Sequence, residues 1–415
     1  MGMILNHIDS RMASLMLACF LILGTASALA DGARESNGHA ADTAAFTIDL
    51  YAQLAGAQDG NLFFSPVSIQ TALAMPYAGA HGVTAEQMAK ALHYQAPVDR
   101  LNEACAGFLH LLNDAPKDRP YQLIVANALW CQQGLALRPD FSQLVQKTYG
   151  AGLQPVDLVR APDQACRTIN DWAAKQTRDK IKDVIGRDIL TPNTRLVLTN
   201  VVYFKSKWAT EFAKGATVDG AFHLTADKSV ETRLMNQTTA LGYFESEDLQ
   251  LVEMPYVKGP LSMIVLLPRK VDGLRGLEKT LTVEKVEGWL KGKKSEDVSV
   301  TLPKFTFDAR CMLASTLQKM GMTEAFDQAK ADFSGIAATP LYLSAIIHKA
   351  FVAVDEEGTE AAAATVVIGG TFGLGDIVGK TKTFRADHPF MFLILHNGTG
   401  KIMFAGRLVD PKTKG

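Results

Sequence analysis

The sequence predicts an α+β fold in one compact unit. Helical patterns dominate its first part and strand patterns its second, which argues against an alternating βαβ chain. Several of the strand segments are near-continuous apolar runs, as expected of strands buried on both faces. No Pro/Ser/Gly-rich linker, block of like charge or internal repeat divides the 415 residues, although length alone would allow about two or three domains.

Taken in order, Ala41 to Ala55 carries Phe46, Ile48, Leu50, Tyr51 and Leu54 at helical spacing and predicts an amphipathic first helix. In Asn61 to Ile69 (NLFFSPVSI) a short apolar strand stops at Ser65, and Pro66 stands where a helix begins, since a first turn accommodates proline. Helical patterns continue from Val67 to about His93 and from Val98 to Leu112. Leu123 to Trp130 reads as a buried strand, Asp163 to Ile185 as helical, and Thr194 to Phe204 as another buried strand. The later strands are Gln250 to Tyr256, Leu261 to Pro268, Val298 to Phe307, Leu343 to Val354, Phe390 to His396 and Lys401 to Val409. Helical patterns near Leu277 to Leu290 and Arg310 to Met320 interrupt them, and Asn397-Gly-Thr-Gly400 joins the last two as a hairpin.

Hydrophobic residues make up 47% and charged residues 20%, with a formal net charge of −1. A chain so balanced has no general field to draw it to nucleic acid or to an anionic membrane. The short cluster Lys291-Gly-Lys-Lys294 reads as a solvated turn. Residues 12 to 30 (MASLMLACFLILGTASALA) follow Arg11, are apolar and end Ala-Leu-Ala, which predicts a secretory signal over residues 1–30 and a secreted or periplasmic mature chain of 31–415. Most of the apolar run follows Cys19, which argues against a lipoprotein signal. The mature chain keeps Cys105, Cys131, Cys166 and Cys311, far apart and without C-x-x-C spacing, so buried free thiols are expected.

Enzyme motifs are missing: the chain has no G-x-S-x-G elbow, no H-E-x-x-H and no G-x-G-x-x-G between a strand and a helix. Val366 to Thr381 ends Gly-Lys-Thr like a phosphate loop. Leu374 stands where such a loop needs glycine, however, and the chain beyond Thr381 runs into Pro389 without a helical stripe. No metal site or cofactor is expected. His348 lies alone in an apolar strand, a setting that suits a hydrogen-bonded core histidine.

The informative stretch is Val354 to Ile368 (VDEEGTEAAAATVVI). Alanine favours a helix here, but in strand geometry Thr359, Ala361, Ala363, Thr365 and Val367 share one small, neutral face that a sheet can bury without stranding a charge. Gly369 to Gly379 then holds five glycines around Phe372 and Leu374, the composition of a protease-accessible loop.

With these features the sequence resembles the serpins. The matching stretches are NLFFSPVSI at 61–69, LTNVVYFKSKW at 198–208, VEMPY at 252–256, LPKF at 302–305, DFSGI at 332–336, HKA at 348–350 through EEGTEAAAAT at 356–365, and FRADHPF at 384–390. The resemblance implies three β-sheets, including a five-stranded main sheet able to accept a loop as an extra strand, with about nine helices and a reactive loop over about 357–382. It implies a monomeric inhibitor that traps a serine protease as a covalent 1:1 complex when the loop is cut and inserts. Gly358, Thr359, Glu360, Ala361, Ala362, Ala363, Ala364 and Thr365 match the hinge. Ser65, Ser68, Asn200 and His348 match the polar cluster where the sheet opens. Trp208, Lys304 and Glu356 match the point where the loop meets the sheet, with an ion pair expected between Lys304 and Glu356.

The family's spacing from Glu356 puts the reactive bond at Phe372-Gly373, with Thr371, Leu374 and Lys380 as other registers, and Phe372 implies a chymotrypsin-like target. Asp179 stands where the family usually has glycine. No basic helix in Pro97 to Pro120 would bind a heparin-like cofactor. The other reading on the same scaffold is a non-inhibitory carrier or storage protein.

Overall fold

A computed structural model describes residues 43–113, 121–150, 153–359 and 381–413. The secretory signal, the hinge from Glu360 onward and the Phe372-Gly373 bond lie outside the described residues.

A helix α1 over residues 43–57 leads to strand β1 (Leu62–Phe64). Next come helices α2 (Pro66–Tyr77), α3 (Gly82–Ala91) and α4 (Val98–Asn113). Strand β2 (Tyr121–Gln132), helix α5 (Pro139–Tyr149), strand β3 (Leu153–Val156) and helix α6 (Pro162–Gln176) come next, and then β4 (Leu196–Lys207). The C-terminal half holds β5 (Val218–Thr225), β6 (Lys228–Glu245), β7 (Leu249–Pro255), β8 (Leu261–Pro268), α7 (Leu274–Lys279) and α8 (Val283–Gly292). It continues with β9 (Lys294–Pro303), β10 (Phe305–Met312), α9 (Ala314–Lys319), β11 (Leu343–Val354) and the two-residue β12 (Gly358–Thr359). The last strands are β13 (Lys382–Arg385), β14 (Phe390–His396) and β15 (Lys401–Leu408). This is the expected α+β architecture, with nine α-helices among the described residues.

The main sheet runs β10-β11-β4-β2-β3, with β12 wedged between β11 and β4. The remaining nine strands form one network that divides on β6. β5 and β9 pair with the first and middle parts of β6, whereas β7 pairs only with its last four residues, Gly242 to Glu245. Counting β6 on both sides of this division gives three sheets.

The main sheet explains why its strands read as unbroken apolar runs. Leu123, Val125, Leu129, Leu198, Val202 and Ile346 face the large core, while Trp130, Val197, Val201, Tyr203 and Ile347 face a second core. The second core is closed by α6 and the connector after it, through Ile169, Ala173, Ile181 and Ile185. The central strands β2, β4 and β11 therefore bury both faces along most of their length.

Several segments differ from expectation, among them Arg310 to Met312, which end β10 instead of opening a helix. The helix expected to reach Ile185 stops at Gln176: Arg178 and Asp179, just past its end, adopt positive φ of 53° and 64°, and Asp183 in the connector adopts 51°. The strand expected over Val298 to Phe307 is two strands broken after Pro303, which leaves Lys304 between them. The Lys291 to Lys294 turn is not wholly solvated: Lys293 Nζ reaches Glu253 Oε2 at 2.7 Å.

Candidate functional site

Two constellations lie along the seam between β4 and β11. These two strands pair in parallel from Leu196↔Leu343 to Tyr203↔Phe351, whereas their other neighbours in the sheet, β2 and β10, run antiparallel to them.

Midway along the seam, Asn127, Asn200 and His348 stand side by side on β2, β4 and β11. All three face the core side, against the start of α2. Ser65 caps that helix, its Oγ accepting from Ser68 N at 3.4 Å, and Pro66 follows at the first turn. Ser65 N donates to His348 Nε2 at 3.2 Å, so the ring proton sits on Nδ1 and is donated to Asn200 Oδ1 at 2.5 Å. Asn200 Nδ2 donates to Ser68 Oγ at 2.6 Å and to Asn127 Oδ1 at 2.5 Å, and Ser65 Oγ donates to the Met403 carbonyl at 2.8 Å. Burial lowers the His348 pKa to about 3, so the ring is neutral. Ser65, Ser68, Asn200 and His348 are thus brought together. The sequence reading missed Asn127, although it is the only residue with a polar side chain in Leu123 to Trp130 apart from the indole of Trp130 itself. Its Nδ2 is buried without a hydrogen bond among the described residues. A buried polar network can rearrange its partners where an apolar one has none to exchange.

At the end of the seam, past Tyr203 and Phe351, the chain turns at Asp355 to Glu357 and re-enters as β12. β12 runs antiparallel to both neighbours, with Thr359 opposite Val354 and Ser206, and Gly358 opposite Lys207. A side chain at Gly358 would collide with the Ser206 carbonyl oxygen and lie 2.6 Å from Lys207 Cα, so the close approach requires glycine. Thr359 is fully buried, its hydroxyl 2.7 Å from Tyr256 OH.

The turn is held on all sides. Trp208 stacks on Tyr256 with ring centroids 4.8 Å apart, and its Nε1 donates to the Asp355 carbonyl at 2.9 Å. Backbone N–H groups of Trp208 and Phe212 donate to the carbonyls of Glu357 and Glu356 at 2.9 and 2.8 Å. Lys304 Nζ lies 2.6 Å from Glu356 Oε2, and Thr217 Oγ1 donates to Glu356 Oε1 at 2.8 Å. Lys214 Nζ lies 2.6 Å from Glu357 Oε1. Burial pushes the Glu356 carboxyl up, but Lys304, its own backbone N–H and Thr217 outweigh this and hold it below the ordinary range. Trp208, Lys304 and Glu356 therefore form one site, to which the structure adds Lys214, Thr217 and Tyr256.

This arrangement has no nucleophile beside a base. The neutral His348 has both nitrogens occupied by structural partners. No group of three or more His, Cys, Asp or Glu side chains fit to hold a metal occurs among the described residues. Cys105, Cys131, Cys166 and Cys311 are free and buried. What the site can do is mechanical: a small-residue strand has started into the seam between two parallel strands.

Residues 41–411 match the family model "Serpin (serine protease inhibitor)". The chain is a serpin. It is 42% identical over 370 residues to a serpin-like protein of Thermococcus kodakarensis, spanning 88% of this chain and 84% of that protein. It is 39% identical over 376 residues to the leukocyte elastase inhibitor of Xenopus laevis, spanning 88% of this serpin and 97% of the relative. Among solved structures, Serpin48 of the insect Tenebrio molitor aligns with a TM-score of 0.79 at 31% identity, over 91% of this serpin and 98% of that chain.

Proposed function

We propose that this serpin inhibits a chymotrypsin-like serine protease by acting as a suicide substrate. Cleavage at Phe372-Gly373 would leave the protease acylated while the segment from Gly358 inserts between β4 and β11. The observation that carries the reading is the Gly358–Thr359 wedge, which occupies the first two positions of the missing strand with side chains small enough to be buried. The sequence continues with Ala361 to Ala364 and Thr365, side chains a sheet can bury without a charge. In an inserted strand Glu360 would fall on the alternate face. The kinship to a leukocyte elastase inhibitor supports a protease as the partner.

Mixing with chymotrypsin should give a covalent 1:1 complex that survives denaturing electrophoresis. Arginine cannot occupy the fully buried Thr359 position uncharged or unpaired, so Thr359→Arg should be cleaved without forming complex. Clean cleavage of the parent with no complex would refute the reading and favour a carrier or storage role. That alternative predicts no rise in thermal stability after the loop is cut. We also propose export, supported by the apolar segment ending at Ala30. Secreted or periplasmic protein beginning at Asp31 by N-terminal sequencing would bear this out.

A further inference from the structure

A cavity of about 80 Å³ lies beside the polar cluster, walled by α2, α4, the segment after α3 and the start of β15. Val67, Leu101, Cys105 and Phe108 give it an apolar side, and Gln70, Thr71, His93 and Tyr94 a polar one. Cys105 is buried, and burial pushes its thiol up to about 12, so it supplies no negative charge. Lys401 of β15 faces this space, as does His93, whose Nε2 lies 2.8 Å from Asp49 Oδ2. Lys401 is partly buried, and among the described residues its ammonium makes no ion pair and no hydrogen bond. Burial holds its pKa below the ordinary lysine range.

Taking an ammonium even partly out of water without a counter-charge carries a desolvation cost, which a bound anion would offset. Here the ammonium borders a cavity with one apolar side and room for roughly three waters or a molecule of about four carbons. We infer that this cavity is a binding site for a small monocarboxylate, whose charge Lys401 receives and whose short tail packs on Leu101, Ala104 and Phe108.

The site shares two walls with the seam. Val67 precedes Ser68 of the polar cluster, and Met403, which accepts from Ser65 Oγ, lies two residues beyond Lys401. An occupant holds α2 against β15 in the arrangement that closes the polar cluster. Occupancy therefore opposes opening of the sheet, a consequence that rests on the loop-insertion reading, whereas binding itself does not.

The test is thermal unfolding of the full chain with sodium butyrate as probe, against 1-butanol, butylammonium chloride and sodium chloride at equal concentration. Butyrate should raise the melting temperature saturably by mass action, in the millimolar range expected of so small a ligand. The three controls should not. Lys401→Met should weaken butyrate about tenfold, the loss of one charge-assisted contact. Val67→Phe, which adds bulk at the buried side of the cavity and keeps the charge, should abolish the shift. The parent protein alone decides the matter if a variant fails to fold: no saturable rise, or an equal rise with butanol or chloride, overturns the proposal. An unchanged response in folded Lys401→Met overturns it too. None of these readouts needs a protease, so they stand apart from the inhibitor reading.

Discussion

Replacing Lys304 by methionine keeps most of the aliphatic stem and removes only the ammonium that stands 2.6 Å from Glu356 Oε2. The Glu356 side chain is 8% exposed and that of Lys304 is 38% exposed. The loss therefore falls between an exposed pair, worth about 0–1 kcal/mol, and a broken buried pair, which costs about 3–5 kcal/mol. Glu356 keeps Thr217, so roughly 1–2 kcal/mol is expected at neutral pH, a drop of roughly 1–3 °C in melting temperature for a chain of this size. The pH dependence identifies the cause. In the parent the folded carboxyl titrates below its unfolded value, so its contribution is complete above about pH 4.3 and is lost as pH falls through the folded value. In Lys304→Met the strongest downward pull is gone and burial drives the carboxyl upward. The difference between the proteins should be largest at about pH 7 and shrink toward about pH 3.5, and Glu356→Gln should remove most of it in a double-mutant cycle. A difference that is the same at both pH values would refute this account and assign the loss to packing alone.

Three further outcomes are expected. His348 titrates near 3 when folded and near 6.5 when unfolded, so it withdraws stability as pH falls through that window, by about 1.4 kcal/mol per unit at most; urea unfolding of His348→Ala should show a lower stability at neutral pH and a shallower acid slope. Glu278→Ala should cost about 3–5 kcal/mol in the same assay, because it strips the buried Arg407 of its counter-charge at 2.8 Å and Tyr51 OH of its acceptor at 2.8 Å. Cys105, Cys131 and Cys311 are raised to about 12, 11 and 12 by burial, and Cys166 is raised too. These four should resist a disulfide reagent at about pH 8 until urea unfolds the chain, and rapid native labelling of any of them would contradict their placement.

What could be read from the sequence tracked the strength of burial. Leu261 to Pro268 and Leu343 to Val354 emerge with the expected limits because both of their faces are buried and mostly apolar. β5 and β6 escaped notice: they are solvent-facing over much of their length, and exposed residues such as Asp219, Glu231 and Arg233 blur the two-residue period. The chain leaves α6 through Arg178 and Asp179 in left-handed conformation, neither of them glycine, so the usual stop signal is missing. Asp179 at φ 64° shows how an aspartate can fill a position usually given to glycine. In the site, polar residues inside apolar runs pointed to Asn200 and His348. Asn127 carries the same signal, but only the register across β2 and β4 puts it beside Asn200. Lys214 and Thr217 gave none, since nothing local in their segment ties them to a turn 143 and 139 residues away.

The parallel pairing of β4 with β11 also sets how the molecule would yield. The two strands are already apart at one end, where β12 sits, and joined rung by rung from Tyr203 and Phe351 downward. A strand growing from that end need break only the next rung before making antiparallel bonds on both of its own edges. The resistance met at each step is local, like that of a zip, while the gain accumulates along the whole length. The rung carrying Asn200 and His348, three residues down from Tyr203 and Phe351, is where polar bonds replace apolar contact, and it is there that such a zip would pause.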